Sequence, residues 1–387
     1  HRPPVHPGRL RPQQPLVDRD GREDHVPSPR LRVGPVATPA EREAWNDLAT
    51  RSPVGHRHQC LWWMEPLERY GFASRAIACW KGDRLVGGAL FRSYAVPLTG
   101  STVAECLDGP IFLNWDSAWA DEFVAGLVEM AREVDSIAVI IRDCPREDVH
   151  RDVLAALRRA GLRTELAPGV ADAVLPLEGR TIDQIRSGFN HGTRGRVRKG
   201  LGGPLQVRQL TVSQDLVHAY AAWIATASRK SFTDVRPWLG LEPVLRHCID
   251  NRLGSVLGSF LDDRLLAAAF VVYVGETAAW VYGGYVNGAE KHSPTHVLQF
   301  EAIRESLERG IGRYNFGNLI SEGQPSGRGV DEFKLGFGAV PQRHLDTIVW
   351  KRKPLLYAAI ERFRRARLGG HLESLFKRKV IERGDSG

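Results

Sequence analysis

The most informative run of local signals lies in residues 291–338. It reads KHSPTHVLQFEAIRESLERGIGRYNFGN up to residue 318, followed by LISEGQPSGRG and VDEFKLGFG. Pro294 suits the first turn of a helix, where a backbone N–H is not needed. Apolar residues recur at helical spacing up to about residue 309, and Gly310 is a good helix stop. Residues 311–316 then predict a short strand, and residues 317–329 a Gly-rich loop of the kind that often carries binding chemistry. Residues 333–338 place Lys334 between two phenylalanines on a glycine-hinged strand, where we expect its ammonium to face a cleft.

The composition is that of a soluble globular protein large enough for two domains. The chain has 387 residues, of which 43% are hydrophobic and 25% charged, both ordinary fractions. No run approaches the roughly 18 apolar residues that are needed to cross a bilayer. The chain does not open with a charged and then apolar signal segment, so we expect a cytoplasmic protein.

The cysteines and histidines predict neither a disulfide framework nor a metal site. The five cysteines are scattered and never in C-x-x-C spacing, which is typical of reduced thiols in a cytoplasm. His292 and His296 have the i,i+4 spacing of a metal-binding face, but Pro294 lies between them. No acidic partner completes an H-E-x-x-H pattern, so we expect no metal.

Net positive charge is concentrated in two places. Residues 351–383 contain eleven Lys or Arg but only three Glu, against a formal net charge of +8 for the whole chain. A second basic group is Arg186, Arg194, Arg196, Arg198 and Lys199. Basic patches suit tRNA, nucleotide pyrophosphates or anionic lipid, and a solvated helix face is the alternative for each. Contact with the inner face of the membrane is therefore one role that we consider for the tail.

Read in order, the chain repeats one layout of elements. We interpret residues 1–30, rich in Pro, Arg and His, as disordered or derived from cloning. Residues 31–166 predict a first mixed domain, with a hairpin around Gly82-Asp83 and then alternating helices and strands. Residues 167–352 repeat helices, a three-strand meander, a helix and a strand. Residues 353–387 predict a basic helical tail.

This layout resembles a tandem pair of domains of the Gcn5-related N-acetyltransferase (GNAT) fold, as in the Fem family of aminoacyl transferases. Residues 333–338, Phe-Lys-Leu-Gly-Phe-Gly, resemble the FKxGFG signature of that family, and residues 280–284, Trp-Val-Tyr-Gly-Gly, resemble its aromatic-Tyr-Gly strand. Residues 314–317, Tyr-Asn-Phe-Gly, and the basic helix that ends at Lys199 also fit. The resemblance implies an α/β (α+β) fold with two mixed, mostly antiparallel twisted sheets flanked by helices.

Two departures from the family pattern bear on the donor. The long coiled-coil arm of some Fem proteins is absent, because only ordinary helices fit between residues 209 and 255. The Q/R-x-x-G-x-G/A loop of common acetyl-CoA-binding members is also missing, and residues 292–295 stand near its place. The missing loop argues against a standard acetyl-CoA site in the second domain, but it does not exclude CoA as the donor.

The resemblance implies site residues near the end of the second domain. As catalytic residues we predict Lys334, Tyr282, Asp331 and Glu332. As substrate-binding residues we predict Phe333, Gly336, Phe337, Arg194, Arg198, Lys199 and Asn318. Each has a plainer alternative: a snorkelling lysine, a buried core tyrosine, solvated loop carboxylates, and basic residues on a surface helix.

The sequence leaves three functions open. The first is aminoacyl transfer from aminoacyl-tRNA to the amine of a cell-wall precursor, peptide or metabolite, as in the Fem family. The second is transfer from acyl-CoA to an amine. The third is a non-catalytic, basic RNA- or membrane-binding protein on the same scaffold. In the first two, the donor is a co-substrate and we expect no permanently bound cofactor.

Overall fold

The computed structural model describes residues 31–230, 236–320 and 327–367. The segment 1–30 and the tail after residue 367, for which we predicted disorder and helix, lie outside the described residues. In the described part of the chain, no helix combines the length and hydrophobicity needed to span a membrane.

The strands and helices alternate in the mixed order that the sequence predicts. The strands are β1 (Leu31–Pro35), β2 (Phe72–Lys81), β3 (Arg84–Ala95), β4 (Thr102–Leu107), β5 (Ile111–Phe112), β6 (Ser136–Arg142), β7 (Thr164–Ala167), β8 (Ala171–Pro176), β9 (Gln206–Gln209), β10 (Gly254–Leu261), β11 (Arg264–Val274), β12 (Thr277–Tyr285), β13 (Arg313–Asn318), β14 (Val340–Arg343) and β15 (Thr347–Lys351). The α-helices are α1 (Pro39–Arg51), α2 (Leu61–Met64), α3 (Ala120–Glu133), α4 (Glu147–Arg159), α5 (Ile182–Ser187), α6 (His191–Leu201), α7 (Ser213–Lys230), α8 (Trp238–Asp250), α9 (Pro294–Glu308), α10 (Arg328–Gly336) and α11 (Pro354–Arg367). Short 3-10 helices cover Arg57–Gln59, Glu65–Tyr70, Ser117–Trp119 and Glu290–His292.

Two mixed sheets follow the same plan, which confirms the predicted fold class. The first has the strand order β1-β2-β3-β4-β6-β15-β7, and the second has the order β14-β8-β13-β12-β11-β10-β9. In each sheet an antiparallel meander leads to one parallel pair, β4 with β6 and β12 with β13. A crossover helix, α3 or α9, joins the two strands of each parallel pair, as parallel pairing requires.

Near the end of the chain, one strand returns to the first sheet. Strand β8 opens the second half of the chain and lies between β13 and β14 of the second sheet. Strand β15 returns and inserts between β6 and β7 of the first sheet. The predicted domain boundary between residues 166 and 167 remains a prediction. Residues 347–351, which we assigned to the second domain, form a strand of the first sheet.

A shared hydrophobic core joins the two sheets. It packs Trp45 and Trp63 from the first half against Trp223, Leu241 and Phe270 from the second half. Two further cores lie on the outer faces, under α3 and α4 in the first half and under α9 in the second. Since burying large apolar side chains is the main stabilising term in folding, the two halves form one packed body.

Three local predictions differ from the structure. Residues 333–338 were predicted as a strand, but residues 333–336 form the end of helix α10 and Phe337 and Gly338 form the turn after it, with Phe337 packed against Phe333. The predicted closing strand at residues 339–350 is split into β14 and β15, which belong to different sheets. The predicted helix at residues 59–70 is the short helix α2 followed by a 3-10 segment that begins with Glu65 and Pro66.

Candidate active site

Lys334 lies on α10 and is buried rather than directed to bulk water. Only 7% of its surface is exposed, and its ammonium donates a hydrogen bond to the backbone carbonyl of Asn318 at the end of β13. Burial lowers the pKa of Lys334, while Asp331 and Asp172 act in the opposite direction. The lysine is thus a desolvated cation held between the second sheet and α10.

The strands next to Lys334 diverge. Strands β12 and β13 pair only from Thr277 to Ala279, so their remaining residues open a gap toward α10. Aromatic rings occupy this gap: Trp280 lies 6.1 Å from Phe316 and 5.8 Å from Phe333, measured between ring centroids. Phe333 therefore lines the gap, and its predicted contact with a substrate remains a prediction.

Gly336 and Phe337 serve packing within the protein. A Cβ atom on Gly336 would lie 2.5 Å from Thr193 Oγ1, and the Gly336 carbonyl accepts a hydrogen bond from Asn190 N at 2.9 Å. Phe337 is fully buried against Phe189. Gly336 thus allows α10 to approach α6 closely, and the predicted roles of Gly336 and Phe337 in substrate binding remain predictions.

The two predicted proton acceptors have different surroundings. Both carboxylate oxygens of Asp331 lie 3.1 Å from the backbone N–H of Ile320, which donates to them. Asp331 is buried and fixes the loop after β13, whereas Glu332 is exposed on α10. The geometry gives Asp331 a structural task and does not bring Glu332 toward the Lys334 ammonium.

Tyr282 connects the second sheet with two cations. Its hydroxyl accepts a hydrogen bond from Arg236 N at 3.2 Å, and it lies close enough to Arg57 and Arg236 to act electrostatically on both guanidinium groups. The Arg236 guanidinium lies 4.8 Å from the ring centroid of Trp63 and donates to the Trp63 carbonyl. Tyr282 thus stands where the two halves of the chain meet.

The predicted basic residues are on the surface. Arg194, Arg198 and Lys199 are exposed on α6, and Arg194 donates to the carbonyl of Ser187 at 3.0 Å. Lys199 also lines an open pocket of about 440 Å³ with Lys291 and His292, at the start of α9. The structure therefore brings Lys199, but not Lys334, into this pocket.

Near the crossing from β14 to β15, several ionisable side chains lie close together that the sequence analysis did not predict as site residues. We call this group the seam cluster; its members are His56, Arg57, His58, Asp108, Asp143, Asp172, His344 and Lys334. His344 lies in the segment that crosses from β14 to β15. Its Nε2 atom is 3.2 Å from Asp172 Oδ2, and its Nδ1 atom is 3.9 Å from Asp143 Oδ1. His344 therefore links carboxylates from both halves.

Charge assignments follow from these contacts. Burial by itself would lower the pKa of His344, but Asp172 and Asp143 raise it to about 9. Burial would raise the pKa of Asp172, but hydrogen bonds from His344 and Asn315 hold it below its usual value. Burial and the nearby Asp108 raise the pKa of Asp143 to about 6. His344 is therefore cationic and Asp172 anionic at neutral pH.

A second part of the seam cluster comes from the first half alone. Asp108 Oδ2 lies 2.7 Å from His58 Nδ1 and 3.0 Å from His56 Nδ1. Burial would raise the pKa of Asp108, but the two imidazoles hold it well below its usual range. Burial lowers the pKa of His58 to about 3. The result is an anionic carboxylate that lies between two imidazoles.

Among the described residues, His56, His58 and Asp108 have donor atoms that lie close enough together to bind one metal ion. Two imidazoles and a carboxylate suit a transition metal. However, Arg57 donates to His56 Nε2 at 3.0 Å, which leaves the imidazole proton on Nδ1, the atom that faces Asp108. The hydrogen bonding favours a proton-linked network, and the expectation of no metal remains a prediction.

Sequence signals for the seam cluster exist but are weak. Asp108 and Asp143 follow the neighbouring parallel strands β4 and β6, and both have left-handed backbone angles, φ 53° and 55°. Carboxyl ends of parallel strands are common ligand positions, so these two residues were open to prediction. Asp172 and His344 meet because β8 pairs with β14, two strands that are far apart in the chain.

Comparison with known proteins shows which family and which solved structures this chain is similar to. Residues 259–365, which include Tyr282 and Lys334, match the FemAB family. No curated protein matches the chain. The crystal structure of FemX has 16% sequence identity and a TM-score of 0.71, covering 85% of this chain and 100% of that one.

Two structures of another group share the fold at lower similarity. The C-terminal domain of a putative lysylphosphatidylglycerol synthetase from Agrobacterium fabrum has 14% identity and a TM-score of 0.52, covering 81% of this chain and 93% of that one. L-PGS from Bacillus licheniformis has 15% identity and a TM-score of 0.53, covering 85% of this chain and 98% of that one. Together with the two sheets of one plan, these likenesses show a fold shared with FemX, and residues 259–365 match the FemAB family.

Proposed function

We propose that the protein is a transferase that moves an aminoacyl group from an activated donor to an amine, with aminoacyl-tRNA as the donor and a cell-wall precursor or peptide as the acceptor. The observation that carries this proposal is the buried ammonium of Lys334 beside the gap between β12 and β13. The FemAB match and the fold shared with FemX and a putative lysylphosphatidylglycerol synthetase support aminoacyl transfer in general.

The chemistry that Lys334 offers is stabilisation of negative charge. When an amine attacks an ester carbonyl, the carbonyl oxygen becomes an oxyanion, and a fixed donor in a partly dry site stabilises it. Losing one such donor typically raises the barrier by about 3 kcal/mol. Lys334 is desolvated, and among the described residues its one hydrogen bond is to the carbonyl of Asn318, which would leave two of its three N–H groups for an oxyanion or a phosphate.

Tyr282 would position the substrate, since its hydroxyl lies among the cations of Arg57 and Arg236. For the proton of the attacking amine, the geometry favours the seam cluster over Asp331 and Glu332. Asp143, whose pKa is about 6, is close to the working range of a general base.

Acyl-CoA is the second candidate donor, and one observation favours it. The pocket lined by Lys199, Lys291 and His292 at the start of α9 presents cations near helix N–H groups, which together suit phosphates. In that case the protein would be an acyl-CoA-dependent N-acyltransferase acting with the same lysine.

A donor screen tests the proposal. The purified protein is incubated with a lysine-containing peptide and either tRNA charged with labelled amino acids or labelled acetyl-CoA, and the peptide mass is read. We expect an aminoacylated peptide, together with copurifying tRNA whose binding weakens steeply as salt rises. Acetylation with thermal stabilisation by CoA would favour the second donor. No product with either donor, while RNA or anionic vesicles still bind, would contradict transfer and leave the non-catalytic reading.

A further inference from the structure

Asp172 carries a buried carboxylate oxygen that no protein donor satisfies. Asp172 is 7% exposed and lies on β8 of the second sheet. Its Oδ2 atom accepts from Asn315 Nδ2 at 2.7 Å and pairs with His344. Its Oδ1 atom is buried and has no hydrogen-bond partner among the described residues. A buried acceptor without a donor is unfavourable, so this atom points to a missing group.

A buried donor in the same cluster also has no partner. Arg57 Nε is buried without an acceptor among the described residues, while another nitrogen of Arg57 is used by His56. The charges of Arg57 and Asp172 interact, yet no hydrogen bond or ion pair joins the two side chains in the described part of the chain. An unsatisfied donor from the first half and an unsatisfied acceptor from the second therefore share the seam.

We propose that Asp172 and Arg57 form a binding site for a substrate group that carries a primary ammonium next to a carbonyl or carboxylate oxygen. The ammonium donates to Asp172 Oδ1, and the oxygen accepts from Arg57 Nε. Lys334, whose charge also interacts with Asp172, then lies beside the bound group. This inference rests on the proposed function, because it gives the amine of that reaction a place.

Two sources of the ammonium have this chemistry. The aminoacyl group of a donor has an ammonium and a carbonyl oxygen on neighbouring carbons, so it would use both residues. The amine of an acceptor side chain has no such oxygen, so it would use Asp172 alone. A simple acyl group offers no ammonium and would leave Asp172 Oδ1 unsatisfied.

Binding measurements without turnover test the site. Three probes are titrated into the full chain and followed by NMR of the His344 imidazole: L-alaninamide, propylamine and N-acetyl-L-alaninamide, which lacks the ammonium. We expect at least tenfold tighter binding of L-alaninamide than of its N-acetyl form. Tighter binding of L-alaninamide than of propylamine identifies the aminoacyl donor as the source, and equal binding identifies the acceptor.

The variant Asp172→Asn should abolish binding of both amines. The matched control is Asp152→Asn, because Asp152 is paired with Trp115 and Arg151 away from the seam, and we expect it to bind like the wild type. If Asp172→Asn does not fold, the comparison of the three probes on the wild type decides the question. Equal binding of the N-acetyl form, or no binding of either amine, would mean that water fills the site and overturns the proposal.

Failure of this site differs from failure of the proposed function. If Asp172→Asn transfers groups at the wild-type rate and with the wild-type Michaelis constant for the amine, the ammonium site is wrong while the transferase stands. If the probes bind as expected but no donor gives a product, the site stands while the transferase assignment fails.

Discussion

Replacing His344 by Gln should remove a pH-dependent link between the two halves of the chain. His344 lies in the segment that crosses between the sheets, and its side chain is 21% exposed. Its pKa is raised to about 9, from an ordinary value of 6.5. Because the folded state binds this proton more tightly than the unfolded state, the pair stabilises the fold fully below pH 6.5. That stabilisation is lost as the pH rises through 9.

The magnitude follows from the shift. Each pKa unit corresponds to about 1.4 kcal/mol, so a rise from 6.5 to about 9 corresponds to about 3 kcal/mol of unfolding free energy. The wild type should therefore lose about 3 kcal/mol more than His344→Gln between pH 6 and pH 9.5. Groups that do not interact with His344 cancel in the difference. Asp143 does not, because His344 lowers its pKa, so about 3 kcal/mol is the upper bound of the difference.

Urea unfolding at the two pH values, followed by tryptophan fluorescence, measures this difference. The carboxylates that face His344 are Asp172 and Asp143, with Asp108 acting at longer range. Asp172→Asn should remove most of the same pH dependence, and the double variant should lose little more than either single one. Identical pH dependence in the wild type and His344→Gln would refute the assignment of a cationic His344 bridging the sheets.

Further predictions concern helix packing and charge. Gly336→Ala should destabilise the fold by roughly 1–3 kcal/mol, because the added Cβ would meet Thr193 Oγ1 at 2.5 Å. Gly329→Ala in the same helix has no heavy atom within 4 Å of its new Cβ, so its melting temperature should stay or rise slightly; equal melting temperatures for the two variants would contradict the packing. Charge reversal at both Arg194 and Arg198 should weaken tRNA binding and reduce the slope of log affinity against log salt by about 1.5. An unchanged slope in a filter-binding assay would mean that Arg194 and Arg198 do not contact the tRNA phosphates.

The repeated layout of the chain was readable from the sequence. Hairpin signals such as Gly82-Asp83, the helix start at Pro294 and the stop at Gly310 are local, and the structure has α9 at Pro294–Glu308. Local signals also placed most strands within a few residues. The fold class was accessible because two meanders followed by crossover helices leave few alternatives.

Helix α10 shows where local reading failed. Gly336 and Gly338 disfavour a helix, so the sequence suggested a strand between hinges. The helix forms because Phe337 enters the core beside Phe189 and Phe316, and Gly336 lets it pack on α6. Tertiary packing overrides propensity in a helix this short.

The seam cluster was beyond local reading for a different reason. His58 and Asp108 are 50 residues apart in the chain. Asp172 lies on β8, and His344 follows β14, the strand that pairs with β8 from the far end of the chain. Periodicity predicts that a strand exists, but it does not say which sheet takes it. Lys334, in contrast, was named from its motif, and its burial gives that assignment a physical basis.

The most direct test of the account is the single-turnover rate of Lys334→Ala with the donor that the screen identifies. We predict a fall of about 100- to 1,000-fold with the melting temperature retained, while Lys81→Ala, which removes an exposed lysine of the first sheet, transfers at the wild-type rate. Lys334→Met, which keeps the aliphatic chain, replaces the alanine variant if that one is unstable. A rate within twofold of the wild type in a folded Lys334 variant would contradict transfer at this site.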